Sequence, residues 1–152
     1  YCDIVCELED GKNVAMLTIG DPSVYSTYMY IHKRVMQAGF TAVMISGVPS
    51  FCAAAARLGI SLGEMMDEIH IIPASYDVRD TVGCGGTCVY MKSGKKLAEL
   101  IEVLRTGDAI RKKKMTVYGV TNCGMESERV YRGLDELTEA KGYLTIVIVK
   151  YS

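Results

Sequence analysis

The chain has 152 residues, 49% of them hydrophobic and 23% charged, with a net charge of −1. That is ordinary globular composition, enough for one large or two small domains. The near-neutral balance removes any electrostatic basis for general binding to nucleic acid or anionic membrane. No apolar run reaches the roughly 18–20 residues of a membrane helix, and the acidic start, with no apolar stretch, does not read as a signal peptide.

Val5 to Glu9 reads as the last turn of a helix, and Asp10-Gly11-Lys12 as its exit. A helix end leading into a parallel-type strand implies an earlier strand before it. The sequence is therefore read as lacking the N-terminal part of its first domain. Asn13 to Ile19 is a compact apolar run that suits a buried strand. Gly20-Asp21-Pro22-Ser23 breaks it. The spacing of Tyr28, Ile31, Val35 and Ala38 predicts a helix from Val24 to Ala38, stopped by Gly39. Phe40 to Ile45 predicts a second buried strand. Gly47-Val48-Pro49-Ser50 breaks that one, and Phe51 to Leu58 predicts a helix closed by Gly59. Glu68 to Ile72 reads as a third strand. Strand, sharp turn and helix in repetition imply right-handed crossovers and a parallel sheet.

Near Pro73 the pattern changes, which places a domain boundary there: residues 1–72, then 73–152. Asp77 to Gly86 reads as a loop, and Thr87 to Met91 as a strand. Ser93 is expected to cap a helix running to about Arg105, with Leu97, Leu100, Ile101 and Leu104 on one face. Met115 to Val120 and Leu144 to Val149 predict strands, and Asn122 to Glu128 a loop. The basic run Arg111-Lys112-Lys113-Lys114 reads as a solvated turn.

Six cysteines (Cys2, Cys6, Cys52, Cys84, Cys88 and Cys123) include no Cys-x-x-Cys pair, and His32 and His70 fit no zinc spacing. They are read as reduced thiols in a cytosol, without a metal site. Cys84 and Cys88 are either a redox pair or two idle thiols. No Ser-His-Asp set can be assembled.

Two turns sit where open parallel sheets bind ligands, beyond the carboxyl ends of strands. In the first, Gly20 permits a close backbone approach and Asp21 either caps the following helix or meets a ligand as well. A carboxylate beside bare backbone suits hydroxyls or an ammonium group and repels phosphate. In the second, Ser50 can cap a helix, and Ala53 to Ala56 make a thin face for a close neighbour or are simply good helix formers.

Taken together, Gly20-Asp21-Pro22-Ser23-Val24-Tyr25-Ser26-Thr27-Tyr28 and the run from Gly47 to Ile60 resemble the tetrapyrrole methylase family. Ile71 to Tyr76, Asn122 to Glu126 and Tyr143 to Lys150 agree with that resemblance. It implies an α/β fold of two domains, with a mostly parallel sheet in the first, a mixed sheet in the second and a ligand cleft between them. It also implies S-adenosylmethionine as methyl donor. The acceptor would be a tetrapyrrole, at C20 of precorrin-2 or cobalt-precorrin-2 in cobalamin biosynthesis. Carried over by position, the donor-site candidates are Gly20, Asp21, Val24, Tyr25, Pro49, Ser50, Met91 and Asn122. No catalytic base is assigned. The family opens with a strand and a Gly-x-Gly-Pro-Gly-Asp turn that this sequence lacks, so a non-catalytic fragment, or a member with another acceptor, stands beside the main reading. A cytoplasmic homodimer, without nucleic-acid or membrane partners, is the implied state.

Overall fold

Five short runs rich in β-branched and aromatic residues pair into one mixed sheet in the computed structural model of the chain. The structure describes the backbone of residues 1–111 and 114–151, and their side chains apart from 95 and 108–111. The strands are β1 (Ile69–Pro73), β2 (Thr87–Met91), β3 (Met115–Thr121), β4 (Arg129–Arg132) and β5 (Thr145–Tyr151). Their order across the sheet is β1-β2-β5-β3-β4. The β1–β2 pair is parallel, with Ile69 opposite Thr87 and Pro73 opposite Met91. The other three pairings are antiparallel.

All five residues of β2 are buried, as are the first five of β5. Continuous burial requires cover on both faces. One cover is α4 (Leu97–Arg111), whose Leu97, Leu100, Ile101 and Leu104 join Tyr90, Val147 and Val149 in the core. Another is α3 (Ser50–Leu58), which packs on β3 and β5 and buries Phe51, Ala54, Ala55 and Leu58. The alanine-rich run thus serves the protein's own sheet.

The chain divides into two compact units, Tyr1–Pro49 and Ser50–Ser152, and the sheet lies in the second. The first holds α1 (Cys2–Glu9) and α2 (Tyr28–Gln37). The strands expected at 13–19 and 40–45 are not formed as strands among the described residues. Both runs pass without a helix or β-ladder, and no backbone group of 13–19 or 41–46 hydrogen-bonds to another described residue. A strand exists only with a neighbour about 4.8 Å away, and these runs have none to pair with. The mostly parallel first sheet is accordingly not seen.

Other boundaries shift for local reasons. The helix expected from Val24 begins only at Tyr28, because residues 21–25 form a turn ending with Tyr25 at φ +49°. Pro22 is therefore not a first helical residue. Gly39 and Gly59 do close α2 and α3 in the left-handed conformation, at φ +89° and +68°. Ser93 does not cap α4: a 3-10 turn, Gly94–Lys96, intervenes, and the Ser93 hydroxyl instead donates to the Thr145 carbonyl at 3.5 Å. Strand β4 and the short helix α5 (Leu134–Leu137) are additions to the sequence reading. Arg111 closes α4, and Lys112 and Lys113 of the basic run lie outside the described residues. No helix among the described residues is long and apolar enough to cross a membrane.

Candidate functional site

The first unit contains Gly20, Asp21, Val24, Tyr25 and Pro49. Gly20 has φ +85°, a conformation that turns the chain sharply and that a side chain would strain. Asp21 follows. Its Oδ1 accepts from the Ser23 amide at 2.8 Å and the Ser23 hydroxyl at 2.5 Å. Its Oδ2 accepts from the Gly47 amide at 3.0 Å. The Asp21 carbonyl accepts from the Val24 amide at 3.2 Å, which closes the turn. Asp21 therefore does not cap α2; it ties the first turn to the second.

That contact explains why residue 47 is glycine. A Cβ there would collide with the carbonyl of Gly20. The two turns meet backbone to backbone, with a carboxylate as the joint. The Ser23 hydroxyl, then the Ser23 amide and then the Gly47 amide hold the Asp21 carboxyl below its ordinary 3.8. Tyr25, two residues on, is exposed. Pro49 ends the unit.

The second unit contains Ser50, Met91 and Asn122. Ser50 is the first residue of α3 rather than a residue flanking it. Met91 is the last residue of β2 and is buried, and its carbonyl accepts from the Ala74 amide at 2.7 Å. Asn122 follows β3 at φ +51°. Its amide donates to the Leu144 carbonyl at 2.9 Å, its carbonyl accepts from the Met125 amide at 3.0 Å, and its Nδ2 donates to Ser127 Oγ at 3.0 Å.

Met91 and Asn122 share one edge of the sheet. Both β2 and β3 run antiparallel to β5, so their carboxyl ends open on the same side, flanking the start of β5. β5 lies between them, so they are two strand spacings apart across the sheet and offset by two residues along it. Between them Thr121 and Thr145 share a buried hydroxyl hydrogen bond of 2.9 Å.

The loop from Asn122 is held from below. Glu128 Oε2 accepts from the Gly124 amide at 2.7 Å, and its Oε1 accepts closely from Arg57 Nε at the end of α3. The Gly124 amide first, then Arg57, hold the Glu128 carboxyl below the usual carboxylate range. Burial, aided by the Glu128 charge, pushes the Cys123 thiol up, which favours its protonated form. The roles of Ser23, Gly47 and Glu128 are additions to the sequence reading. The sequence places Ser23 and Gly47 in turn-forming runs and Glu128 in a loop, without these contacts.

Elsewhere, all six cysteines are free. Burial raises the Cys88 thiol to about 11. No group of His, Cys, Asp and Glu among the described residues is arranged to hold a metal ion.

Comparison with known proteins places this architecture. The sequence profile of the tetrapyrrole (corrin/porphyrin) methylases matches residues 3–138. The chain belongs to the tetrapyrrole methylase family. A probable cobalt-precorrin-2 C(20)-methyltransferase of Methanocaldococcus jannaschii is 34% identical over 145 residues, which are 93% of this chain and 60% of that relative. The chain thus spans well under two thirds of that methylase's length. Two solved methylases share the fold. One is a cobalt precorrin-4 methyltransferase of cobalamin biosynthesis, at TM-score 0.82 and 16% identity, covering 98% of this chain and 68% of that one. The other is a uroporphyrin-III C-methyl transferase from Thermus thermophilus complexed with S-adenyl homocysteine, at TM-score 0.74 and 16% identity, covering 97% and 70%.

Proposed function

We propose that this methylase transfers a methyl group from S-adenosylmethionine to C20 of precorrin-2 or cobalt-precorrin-2 in cobalamin biosynthesis. The observation that carries the reading is the joint between Asp21 and Gly47. It supports a corner of bare backbone and one carboxylate, in a chain 34% identical to a probable methyltransferase of that specificity. The donor-binding residues in this reading are Gly20, Asp21, Val24, Tyr25, Pro49, Ser50, Met91 and Asn122. The domain division in this reading stays at residues 1–72 and 73–152, and the working form is a cytoplasmic homodimer.

The residues suit the donor chemically. S-adenosylmethionine, when bound, supplies an electrophilic methyl on a sulfonium, so the transfer needs no metal. Asp21 places negative charge beside exposed amides and carbonyls, which favours a cationic, hydroxyl-bearing ligand over a phosphate. Gly20 and Gly47 keep side chains away from that corner. The chain's main contribution is alignment, and well-oriented groups can remove roughly 7–11 kcal/mol of a barrier without further chemistry. The left-handed turn at Asn122 holds its carboxamide in one orientation, through Ser127.

Calorimetric titration with S-adenosylhomocysteine tests the reading. Saturable one-to-one binding is expected, and Asp21→Ala should weaken it by about tenfold or more while the fold persists. Mass and position of the methyl in the product, with precorrin-2 and cobalt-precorrin-2 offered separately, then test the acceptor. No binding at millimolar ligand overturns the donor site. Methylation at another carbon overturns the C20 assignment alone.

A further inference from the structure

Cys84 and Cys88 bracket the entry to β2, and their thiols point at one turn. Cys88 Sγ donates to the Thr81 carbonyl at 3.8 Å, and Cys84 Sγ donates to the Asp80 carbonyl at the same distance. Asp80 and Thr81 are consecutive in the 3-10 turn Arg79–Thr81, so the two sulfurs lie against adjacent peptide groups. A straight chain would carry residues 84 and 88 apart by about 3.3 Å per residue. Here it folds back instead, through Gly85 and Gly86 at φ +97° and +59°.

The two thiols differ in access. Cys84 is exposed, whereas Cys88 is fully buried. A reagent from solution therefore meets Cys84 first. Burial and then the Cys84 charge raise the Cys88 thiol to about 11, so the pair are electrostatic neighbours as well. Their freedom to move differs too. Cys88 is fixed within β2, whose first amide, at Thr87, donates to the Glu68 carbonyl at 2.8 Å. The segment carrying Cys84 has room, since a Cβ at Gly85 would meet nothing within 4 Å.

We propose that Cys84 and Cys88 are a redox-active dithiol that closes to an intrachain disulfide on reaction with a hydroperoxide. The Cys84 thiolate attacks the peroxide: an S–O bond forms, the O–O bond breaks, and the leaving oxygen takes up a proton. The product is a sulfenic acid at Cys84. Cys88 then gives up its proton and attacks the Cys84 sulfur. The S–S bond forms, the S–O bond breaks, and water leaves. Two thiols lose two electrons in all, and hydrogen peroxide is reduced to two waters. Closure needs the two Cα atoms within about 7 Å, and rotation at Gly85 can bring Cys84 that close without moving β2. Both thiol hydrogen bonds to the 3-10 turn are given up in the oxidised form. The inference concerns sulfur chemistry alone and does not depend on the methyl donor or the acceptor.

The experiment treats the folded chain with hydrogen peroxide, removes the excess with catalase and blocks remaining thiols with iodoacetamide in denaturant. Trypsin cuts after Arg79 and Lys92, which frees a peptide, Asp80–Lys92, holding Cys84, Cys88 and no other cysteine. Mass spectrometry should find that peptide unalkylated and lighter by two hydrogen atoms, and dithiothreitol given before the iodoacetamide should restore two alkylation sites. Cys84→Ser, a change at an exposed position, should leave Cys88 an unmodified thiol after the same treatment. Two alkyl groups on the peroxide-treated peptide, a bridge from either residue to another cysteine or another chain, or a sulfinic acid at Cys84 with Cys88 still a thiol, each overturns the proposal. So does oxidation of Cys88 in Cys84→Ser, which would remove Cys84 from the first step.

Discussion

The amide of Gly47 donates to Asp21 Oδ2 at 3.0 Å across 26 positions of sequence. This one bond fixes two turns that local sequence leaves independent. The same carboxylate holds Ser23 through its other oxygen, so the first turn is rigid before it meets the second. A charged acceptor makes these bonds stronger than their neutral equivalents.

Asp21→Ala should release Gly47 and weaken binding of S-adenosylhomocysteine by about tenfold or more, by the usual cost of removing a charge-assisted partner. The thermal midpoint of the sheet in the second unit should stay within a degree or two, because Asp21 contributes nothing to that core. Calorimetry and thermal melts check this pair of outcomes. A collapsed melt with unchanged affinity in the surviving protein would reduce Asp21 to a structural role. Asp21→Asn keeps one oxygen acceptor and should lose less affinity than the alanine variant.

The Asp21 joint should also be sensitive to acid, and the sign follows from its partners. Three donors favour the ionised form, so the folded carboxyl titrates below its ordinary 3.8. The stabilisation is then complete above that value and is lost as the pH falls through the lower folded value. The Gly47 amide proton, followed by NMR, should titrate with its midpoint below 3.8. An inflection at or above 3.8 would show that the carboxylate is not held by these donors.

Glu128→Gln removes the charge that draws Gly124 and Arg57 together. The Gly124 amide, now bonded at 2.7 Å, should exchange about tenfold faster. The turn at Asn122 should loosen with it, and affinity for S-adenosylhomocysteine should fall less than in Asp21→Ala. Hydrogen exchange resolved to residues 121–128 is the measurement. Unchanged exchange would mean that Asn122 is held by Leu144, Met125 and Ser127 without help.

The second unit was legible wherever side chains alone decide. Thr87 to Met91 reads as a strand and is one, because its β-branched and aromatic run needs no partner to be recognised, and the structure adds that all five residues are buried. The face of Leu97, Leu100, Ile101 and Leu104 is buried as its spacing predicts. Strand β4 escaped because Arg129-Val130-Tyr131-Arg132 is short and charged, and it is a strand only through its partner β3. The opposite error occurred at 13–19 and 40–45: their composition suits strands, but a ladder depends on neighbours that composition does not supply. The helix expected at Val24 failed because Asp21 holds Ser23 in a turn instead of capping. At the site, Gly20 and Asp21 could be marked as a corner, while the joint to Gly47 and the Arg57–Glu128 pair, 71 positions apart, are long-range contacts that no spacing rule reveals.

Core and surface should separate cleanly under mutation. Leu104 is fully buried, between α4 and the sheet, so Leu104→Ala leaves a cavity its neighbours close only in part. The cost expected is ~2–5 kcal/mol. Met66 is 92% exposed, and Met66→Ala should stay within about 0.5 kcal/mol. Denaturant unfolding, followed by a probe in the second unit, compares them directly. The slope of the transition should be the same for both, since neither residue changes the surface exposed on unfolding by much. If the two variants unfold at one midpoint, α4 does not pack on the sheet as described. If Leu104→Ala instead broadens the transition, the sheet and α4 unfold in separate steps, and the second unit is not a single cooperative body.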